Sequence, residues 1–322
     1  MPAILTHDLF ARGVIDDVRS VLPLSTGGER DAFRLGSQGP DPLFFLVIDP
    51  LMRRYSPLGD AMHEARPARL LVSMSEGARR LQGREQEIAR AYVAGFACHY
   101  LLDSTVHPFV FAWQHDLCGA GVEGLDDSAG GRVHAEIERD LDEAVLFARR
   151  GETIRDYRPF ERSLPGSAEV LRTIDKVYFY AALWTYGETV DTATFSAAVR
   201  CYRAVMGLIY SPGGKRRHAL GSLERLATRT HYPLGVALSH RCRPEATSDF
   251  DNRSHARWTD PFTGATSTAS FWDLLDDAAA RVVPAVEQVV SPRFDAAAAS
   301  RLTGDLNFSG ELAPLDGPLG AW

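Results

Sequence analysis

Apolar residues recur at helical spacing along nearly the whole chain, and this periodicity most constrains the fold that the sequence can adopt. Thr6 is the candidate N-cap of the first predicted helix. On that helix Phe10, Val14 and Val18 lie four residues apart and form one apolar stripe. The two-residue alternation that is typical of half-buried strands is almost absent. The sequence therefore predicts an all-α protein.

The same periodicity predicts six further helices, over residues 86–107, 131–149, 167–187, 192–210, 214–230 and 270–290. Loops rich in glycine and proline separate them, chiefly at residues 36–42, 119–131 and 233–269. No repeat and no sharp change in composition divides the chain. Residues 1–322 are therefore predicted to form a single multi-helix domain.

Composition narrows the function and the cellular location. The 322 residues carry a formal net charge of −7, whereas a sequence-independent nucleic-acid binder is normally basic. The four cysteines are far apart and form no CxxC motif, which favours free thiols in a reducing compartment. The first residues do not resemble a signal peptide, and the longest apolar stretch, Leu43 to Ile48, is too short to cross a bilayer. We therefore predict a cytoplasmic protein.

The strongest local signal is the segment GFACHYLLDSTVHPFV, residues 95–110. His99, Asp103 and His107 follow one another at four-residue intervals, so a helix places them in a slanted row on one face. His99 and His107 are ~12 Å apart along the helix axis, too far for one ion with ligand bonds of ~2 Å. The row therefore suits two neighbouring ions with Asp103 between them. Pro108 disfavours helical geometry at His107, so we expect His107 near the helix end.

The next predicted helix repeats this pattern in the segment HAEIERDLD, residues 134–142. His134 and Glu138 are four residues apart and can share one ion, as the two histidines of an HExxH zinc motif do. HExxH itself is absent, so a zincin-type protease is not indicated. Further candidate donors lie upstream at His7, Asp41 and His63.

Each of these pairs alone is also a common surface pair on a helix. Two such helices occur here, with a third histidine in register and apolar residues around the HYLLD segment. Buried charges and imidazoles are costly unless they are paired or bound to a metal. The combination therefore favours a metal cluster over two unrelated surface pairs.

These motifs resemble, in content and order, the zinc-dependent phospholipase C family, whose relatives on the same helical fold include the S1/P1-type nucleases. The resemblance covers about residues 6–146. It is carried by THDLF (6–10), QGPDPLFF (38–45), MH (62–63), GFxCHYLLDSxxHPF (95–109) and HxxIExxLD (134–142). A weaker likeness to the intracellular bacterial branch follows in SPGGK (211–215), DNRSHARWTDP (251–261) and SFWDLL (270–275).

The resemblance implies an all-α domain of the phospholipase C/P1 nuclease type with two or three zinc ions. The ligand sets that it implies are Asp41, His63 and His99 for one ion, His107, His134 and Glu138 for a second, and His7 and Asp103 for a third, with Asp103 adjoining the first. In secreted relatives an N-terminal tryptophan completes the third site. This sequence begins Met-Pro, so the amine of Met1 or of Pro2 would have to replace it.

The charge of this ligand set suits a phosphate ester. Three carboxylates and five neutral imidazoles carry a charge of −3, which two zinc ions change to +1 and three to +3. Such a pocket attracts a phosphate monoanion, and clustered metals activate water for phosphoester hydrolysis. Asp41 is the candidate base for the attacking water. We expect a small phosphoester or phospholipid head group as the substrate.

Several other residues are open to more than one interpretation. His115 could replace His107 if the helix ran through Pro108, and Asp142 could support the ligands or lie on a solvated face. The run GGKRRH (213–218) could bind a phosphate, although such a run is usually solvated. We expect no metal-binding role for the remaining candidates: Cys98, Trp184, Tyr186, Tyr202, His231, His240 and His255.

The leading hypothesis is thus a zinc-dependent phosphodiester hydrolase of phospholipase C type. One alternative is a nuclease or phosphatase on the same cluster. Another is a metal-binding protein without turnover. The negative net charge argues against long nucleic acids as substrates.

Overall fold

The computed structural model describes residues 3–228 and 232–314, and within them the chain is mostly helical. The α-helices are α1 Ile4–Val18, α2 Gly27–Gly36, α3 Pro57–Glu64, α4 Pro67–Arg79, α5 Gly83–Cys118, α6 Gly130–Arg150, α7 Pro159–Arg162, α8 Ala168–Tyr186, α9 Thr194–Ile209, α10 Lys215–Thr228, α11 Leu234–Ala237, α12 Phe271–Val289 and α13 Ala296–Thr303. The 3₁₀ helices are Asp41–Ile48, Arg53–Tyr55 and Asp127–Ala129. The all-α prediction is confirmed.

The predicted helices recur with small shifts at their ends, except that α5 is eleven residues longer at its C-terminal end than residues 86–107. The long loop predicted at residues 233–269 contains α11 and one antiparallel pair, β1 Trp258–Thr259 with β2 Thr266–Ser267. Three positions singled out from the sequence, Met1, Pro2 and His231, lie outside the described residues, as do residues 229–230 of the predicted helix 214–230.

The expectation that His107 lies near the end of its helix is wrong, because α5 continues through Pro108 to Cys118. An internal proline costs a helix ~3 kcal/mol or more. The next residues, Phe109 and Val110, are each only 1% exposed, and burial of two such side chains contributes roughly 3–6 kcal/mol. Tertiary packing therefore outweighs the cost of the proline, and His107 keeps the helical register of the row.

The expectation that Thr6 caps the first helix is also wrong. The helix begins at Ile4, two residues earlier, and Ala3 at the cap position provides no side-chain acceptor. Thr6 lies inside the first turn, where its N–H and hydroxyl donate to the carboxylate of Asp142 at 2.7 and 2.6 Å. A carboxylate from α6 thus satisfies first-turn N–H groups that a local cap would otherwise bind.

Helix α5 lies at the centre of the molecule and packs against α2, α4, α6, α8 and α12. Most of its residues are buried, in agreement with its weak amphipathicity. Its closest approach is to α2, where Gly36 meets Gly95. A Cβ on Gly95 would lie 1.9 Å from the carbonyl oxygen of Phe33, so only glycine allows this crossing.

The crossing of α2 and α5 determines where the next segment lies. Beyond α2 the chain turns at Gly39, which has a φ of +53°, and enters the 3₁₀ helix Asp41–Ile48. A Cβ on Gly39 would lie 2.1 Å from Cδ2 of His99, so this turn rests directly on the imidazole. The turn therefore brings Asp41 to the row of donors on α5. None of the described helices is both long and apolar enough to span a membrane.

Candidate metal centre

All eight predicted donors lie close together, although they come from five separate elements. Helix α1 carries His7, the 3₁₀ helix carries Asp41, α3 carries His63, α5 carries His99, Asp103 and His107, and α6 carries His134 and Glu138. We call His7, Asp41, His63, His99 and Asp103 the five-donor group. We call His107, His134 and Glu138 the three-donor group.

Asp103 lies at the centre of the five-donor group. Its Oδ1 is 3.1 Å from Nε2 of His7, and its Oδ2 is 3.1 Å from Nε2 of His99 and 4.0 Å from Nε2 of His63. Asp41 faces the same histidines, with Oδ1 3.0 Å from Nε2 of His63 and 3.8 Å from Nε2 of His99. The two carboxylates therefore point at three imidazoles from three different helices.

Two sets of three donors within this group bring their ligand atoms within 4.8 Å of one another, as one ion requires. One set is His7, Asp41 and His99, and the other is His63, His99 and Asp103. His99 belongs to both. The implied set Asp41, His63 and His99 differs from each by one donor, so the structure brings together the predicted residues but pairs them differently.

The three-donor group combines the residues that the resemblance assigns to the second ion, and its ligand atoms also lie within 4.8 Å of one another. Oε1 of Glu138 is 3.3 Å from Nε2 of His107 and 3.4 Å from Nε2 of His134. Nε2 of His107 is also 3.9 Å from Oδ1 of Asp103. Asp103 and His107 thus connect the two groups, in agreement with the row of neighbouring sites inferred from spacing.

The imidazoles are oriented by hydrogen bonds on the ring nitrogen that faces away from the acids. Nδ1 of His63 donates to the carbonyl of Gly59 at 2.7 Å, and Nδ1 of His107 donates to the carbonyl of Phe308 at 2.7 Å. Nδ1 of His134 lies 3.0 Å from Oε1 of Gln114. A carbonyl only accepts hydrogen bonds, so Nδ1 carries a hydrogen, and Nε2 is the nitrogen that can bind a ligand once it is deprotonated. This arrangement is typical of metal-binding histidines.

His99 provides the most direct test of whether these residues fit a metal. The ring is fully buried, and its Nδ1 lies 3.1 Å from the carbonyl oxygen of Ser37 and 3.2 Å from Nδ1 of His7. Its Nε2 makes no hydrogen bond to any described residue, although Oδ2 of Asp103 is 3.1 Å away. An unprotonated nitrogen and a carboxylate oxygen that face each other are both acceptors, and a bound cation would satisfy both. The residues present therefore fit a metal ion.

Electrostatic coupling keeps the acids ionised. Burial alone would raise the pKa of Asp103, yet His99, His107 and His7 hold it well below the usual value. Burial likewise opposes a low pKa at Asp41, but His99 and His63 lower it. Glu138 also has a pKa well below its usual value despite burial, with His134 and His107 among the causes. Three carboxylates are thus available as metal ligands at neutral pH.

Burial and the neighbouring acids shift the pKa values of the histidines in different directions. Burial opposes protonation of His107, but Asp103 and Glu138 outweigh it and raise its pKa to about 9. The pKa of His7 is also raised, because Asp103 outweighs burial. Burial lowers the pKa of His99 and His134. Without a metal the cluster therefore holds protons on some imidazoles and not on others.

Two of the histidines are partly exposed to solvent. The side chains of His63 and His107 are 15% and 12% exposed, whereas His99 is fully buried. Aromatic rings lie beside two of the donors: Phe44 stacks on His63 at 5.1 Å between centroids, and Phe111 lies 4.8 Å from His134. A ligand from solution would therefore meet His63 and His107 first.

None of the other described sequence candidates belongs to either donor group. His115 is exposed and belongs to neither group, even though the helix runs through Pro108. His218 and His255 are exposed, and Cys98, Tyr186 and Tyr202 are buried in the core. His240 is buried against Asp142, with Nε2 2.9 Å from Oδ2.

Sequence analysis missed the residues that orient the ligands. The carbonyls of Gly59 and Phe308 and the side chain of Gln114 have no sequence signal, because any residue supplies a carbonyl and Phe308 is 201 positions from His107. His240 is 98 positions from Asp142, so no local spacing could connect them. Gly39 carried a usable signal, since it lies in a Gly-Pro-Asp-Pro turn immediately before a predicted ligand.

No protein-family model, curated protein or solved structure that was compared with the chain matches it.

Proposed function

We propose that the chain is a zinc-dependent phosphoester hydrolase of the phospholipase C/P1 nuclease type, acting on a small phosphodiester. The observation that carries the proposal is the convergence of eight histidine, aspartate and glutamate side chains from five elements. Their ligand atoms face one another, and the far nitrogens of several imidazoles are bound by carbonyl oxygens. The motif resemblance described above supports the same assignment.

The donor chemistry supports zinc over hard cations. Imidazole and carboxylate ligands in sets of three are typical of catalytic zinc sites, which leave a position open for water or substrate. Magnesium and calcium prefer oxygen ligands and seldom bind several imidazoles. Three such sets occur within the described residues, and two of them share His99. We therefore expect at least two zinc ions per chain.

The chemistry that zinc supplies when bound is neutralisation of charge on phosphoryl oxygens and activation of water near neutral pH. Asp41 is the candidate general base, because it is ionised and its Oδ1 lies 3.0 Å from Nε2 of His63, one of the partly exposed donors. His63 and His107 are the most exposed of the eight donors, and the Phe44 ring stacks on His63.

The test is steady-state hydrolysis of bis-p-nitrophenyl phosphate by the zinc-loaded wild type and by Asp41→Asn. We expect the turnover of Asp41→Asn to fall by about 10²–10⁴, the usual range for a general acid–base group. Asp60→Asn is the matched control, since Asp60 is an exposed carboxylate one turn from His63 on α3. Its rate should equal that of the wild type.

The zinc content of each variant separates loss of metal from loss of the base. Equal rates in wild type and Asp41→Asn would place the activity elsewhere. A rate confined to p-nitrophenyl phosphate, a monoester, would indicate a phosphatase. Zinc binding without hydrolysis of either ester would indicate a metal-binding protein that lacks turnover.

A further inference from the structure

Asp142 is a buried carboxylate that belongs to neither donor group. It is 1% exposed and accepts four hydrogen bonds. The donors are N–H of Leu5 at 3.0 Å, N–H and hydroxyl of Thr6 at 2.7 and 2.6 Å, and Nε2 of His240 at 2.9 Å. A buried carboxylate with this many donors is held in one orientation.

Asp142 and two of its partners lie on helices α6 and α1, which both carry donors of the metal centre. Leu5 and Thr6 form the first turn of α1, and the next residue is His7. Asp142 itself lies on α6, one turn beyond Glu138. One carboxylate therefore connects the helix that carries His7 to the helix that carries part of the three-donor group.

His240 is fixed in turn by the segment that follows it. Nε of Arg241 donates to Oε2 of Glu143 at 3.0 Å, and NH1 of Arg243 donates to Oδ1 of Asp140 at 2.8 Å. These acids and Asp142 lie within four residues of α6. The sequence HRCR at 240–243 thus lies along the acidic stretch DLDE at 140–143 and holds His240 against Asp142.

We propose that Asp142 and His240 form a positioning pair that holds His7 in place within the five-donor group. The pair acts through hydrogen bonds to the first turn of α1, so it controls the affinity of the five-donor group for zinc without contacting the metal. The proposal rests on the metal centre that we assign under the proposed function. It predicts that this affinity depends on a segment more than 200 residues from His7.

The experiment compares two buried aspartates with the same local role. Asp175 on α8 is 2% exposed and binds the first turn of α9 through N–H of Ser196 at 2.9 Å and the Ser196 hydroxyl. Helix α8 carries none of the eight donors. In Asp142→Asn and in Asp175→Asn, an amide replaces a carboxylate that accepts hydrogen bonds from the first turn of a helix. Asp175→Asn therefore controls for the loss of stability that this replacement causes.

Zinc affinity is measured by competition with a chromogenic chelator, well below the melting temperature of every variant. The Glu138→Ala background is used so that only the five-donor group binds tightly. We expect Asp142→Asn to weaken zinc binding by about 10–100-fold, the usual effect of removing a group that supports a ligand. Asp175→Asn should leave the affinity unchanged.

His240→Gln provides a second variant in case Asp142→Asn does not fold. It removes the imidazole but leaves Asp142 bound to α1, so it should weaken zinc binding in the same direction and by less. Equal zinc affinity in the Glu138→Ala parent, Asp142→Asn and His240→Gln would overturn the positioning role and leave the metal centre intact. A parent that binds no zinc, together with a wild type that binds none, would overturn the metal centre and the positioning role with it.

Discussion

The two donor groups contain the same types of side chain, but the chain assembles them differently. The ligands of the three-donor group all come from α5 and α6, two successive helices joined by a loop that ends in the 3₁₀ helix Asp127–Ala129. The five-donor group needs α1, the 3₁₀ helix Asp41–Ile48, α3 and α5, and it depends on the turn at Gly39. The first group is therefore local in sequence, and the second is a product of the tertiary fold.

Because of this difference, we expect different substitutions to remove zinc from the two groups. A local group loses a ligand when its own side chain is removed. A group assembled from four elements also fails when the backbone that joins them is displaced, since ligand geometry must hold within a few tenths of an ångström. The five-donor group should therefore be the more sensitive to substitutions that remove no ligand.

The largest effect is expected for Gly39→Ala. The new Cβ would lie 2.1 Å from Cδ2 of His99, in a residue with a φ of +53°. Overpacking costs roughly 1–3 kcal/mol and the left-handed backbone a further ~1 kcal/mol. Because His99 belongs to both sets of the five-donor group, we expect that group to lose its zinc. Denaturant unfolding and zinc analysis measure the two effects.

Gly83→Ala is the matched control, because Gly83 has the same φ of +53° and a Cβ there would meet nothing within 4 Å. Gly83→Ala should lower the free energy of unfolding only by the backbone contribution of ~1 kcal/mol. It should retain all of its zinc. If the two alanine variants retained equal zinc, the turn at Gly39 would not be what assembles the five-donor group.

A smaller effect is expected when one ligand of the three-donor group is removed. Glu138→Ala or His134→Ala should remove one zinc ion and leave the five-donor group loaded. With free zinc at 100 times the dissociation constant, the lost ion contributed ~2.7 kcal/mol to the free energy of unfolding. The variants should therefore melt at lower temperature than the wild type when zinc is present, and the gap should narrow in chelator.

The controls for this comparison are His218→Ala and His255→Ala, which change exposed histidines outside both groups. Neither should change zinc content or melting temperature. The division into ligands and non-ligands would be wrong if the two ligand variants and these two controls had the same zinc content and the same melting temperature.

The smallest effect is the pH dependence of zinc binding at the three-donor group. The pKa of His107 is about 9 without metal, and zinc binds only the neutral imidazole. Zinc binding near pH 7 should therefore release a proton from His107, and the affinity of the three-donor group should rise with pH up to about 9. Calorimetry in two buffers with different ionisation enthalpies measures the proton count. Affinity that stayed constant between pH 6 and 8 would contradict this protonation state.

The helices and the row of side chains on α5 could be predicted from sequence because both signals are local. Periodic apolar residues identified most of the long helices, and four-residue spacing placed His99, Asp103 and His107 on one face of α5. The local rule failed at Pro108 and Thr6, where burial of Phe109 and Val110 and the carboxylate of Asp142 decided the structure. In both cases a tertiary contact outweighed a local preference.

The pairing of the donors could not be predicted from spacing. It depends on how closely α2 approaches α5 at Gly36 and Gly95, which sets the position of Asp41 relative to His99. The orienting carbonyls of Gly59 and Phe308 are backbone atoms, so no residue type marks them. The residues of the centre are therefore encoded locally, whereas its geometry is encoded in backbone contacts.

The most direct test of the metal centre is the zinc content of the wild-type protein, purified without chelators and measured by elemental analysis against protein concentration. The three sets of facing donors predict at least two zinc ions per chain, with one lost in Glu138→Ala. A content near zero that added zinc does not restore would contradict the metal centre and the hydrolase activity proposed for it.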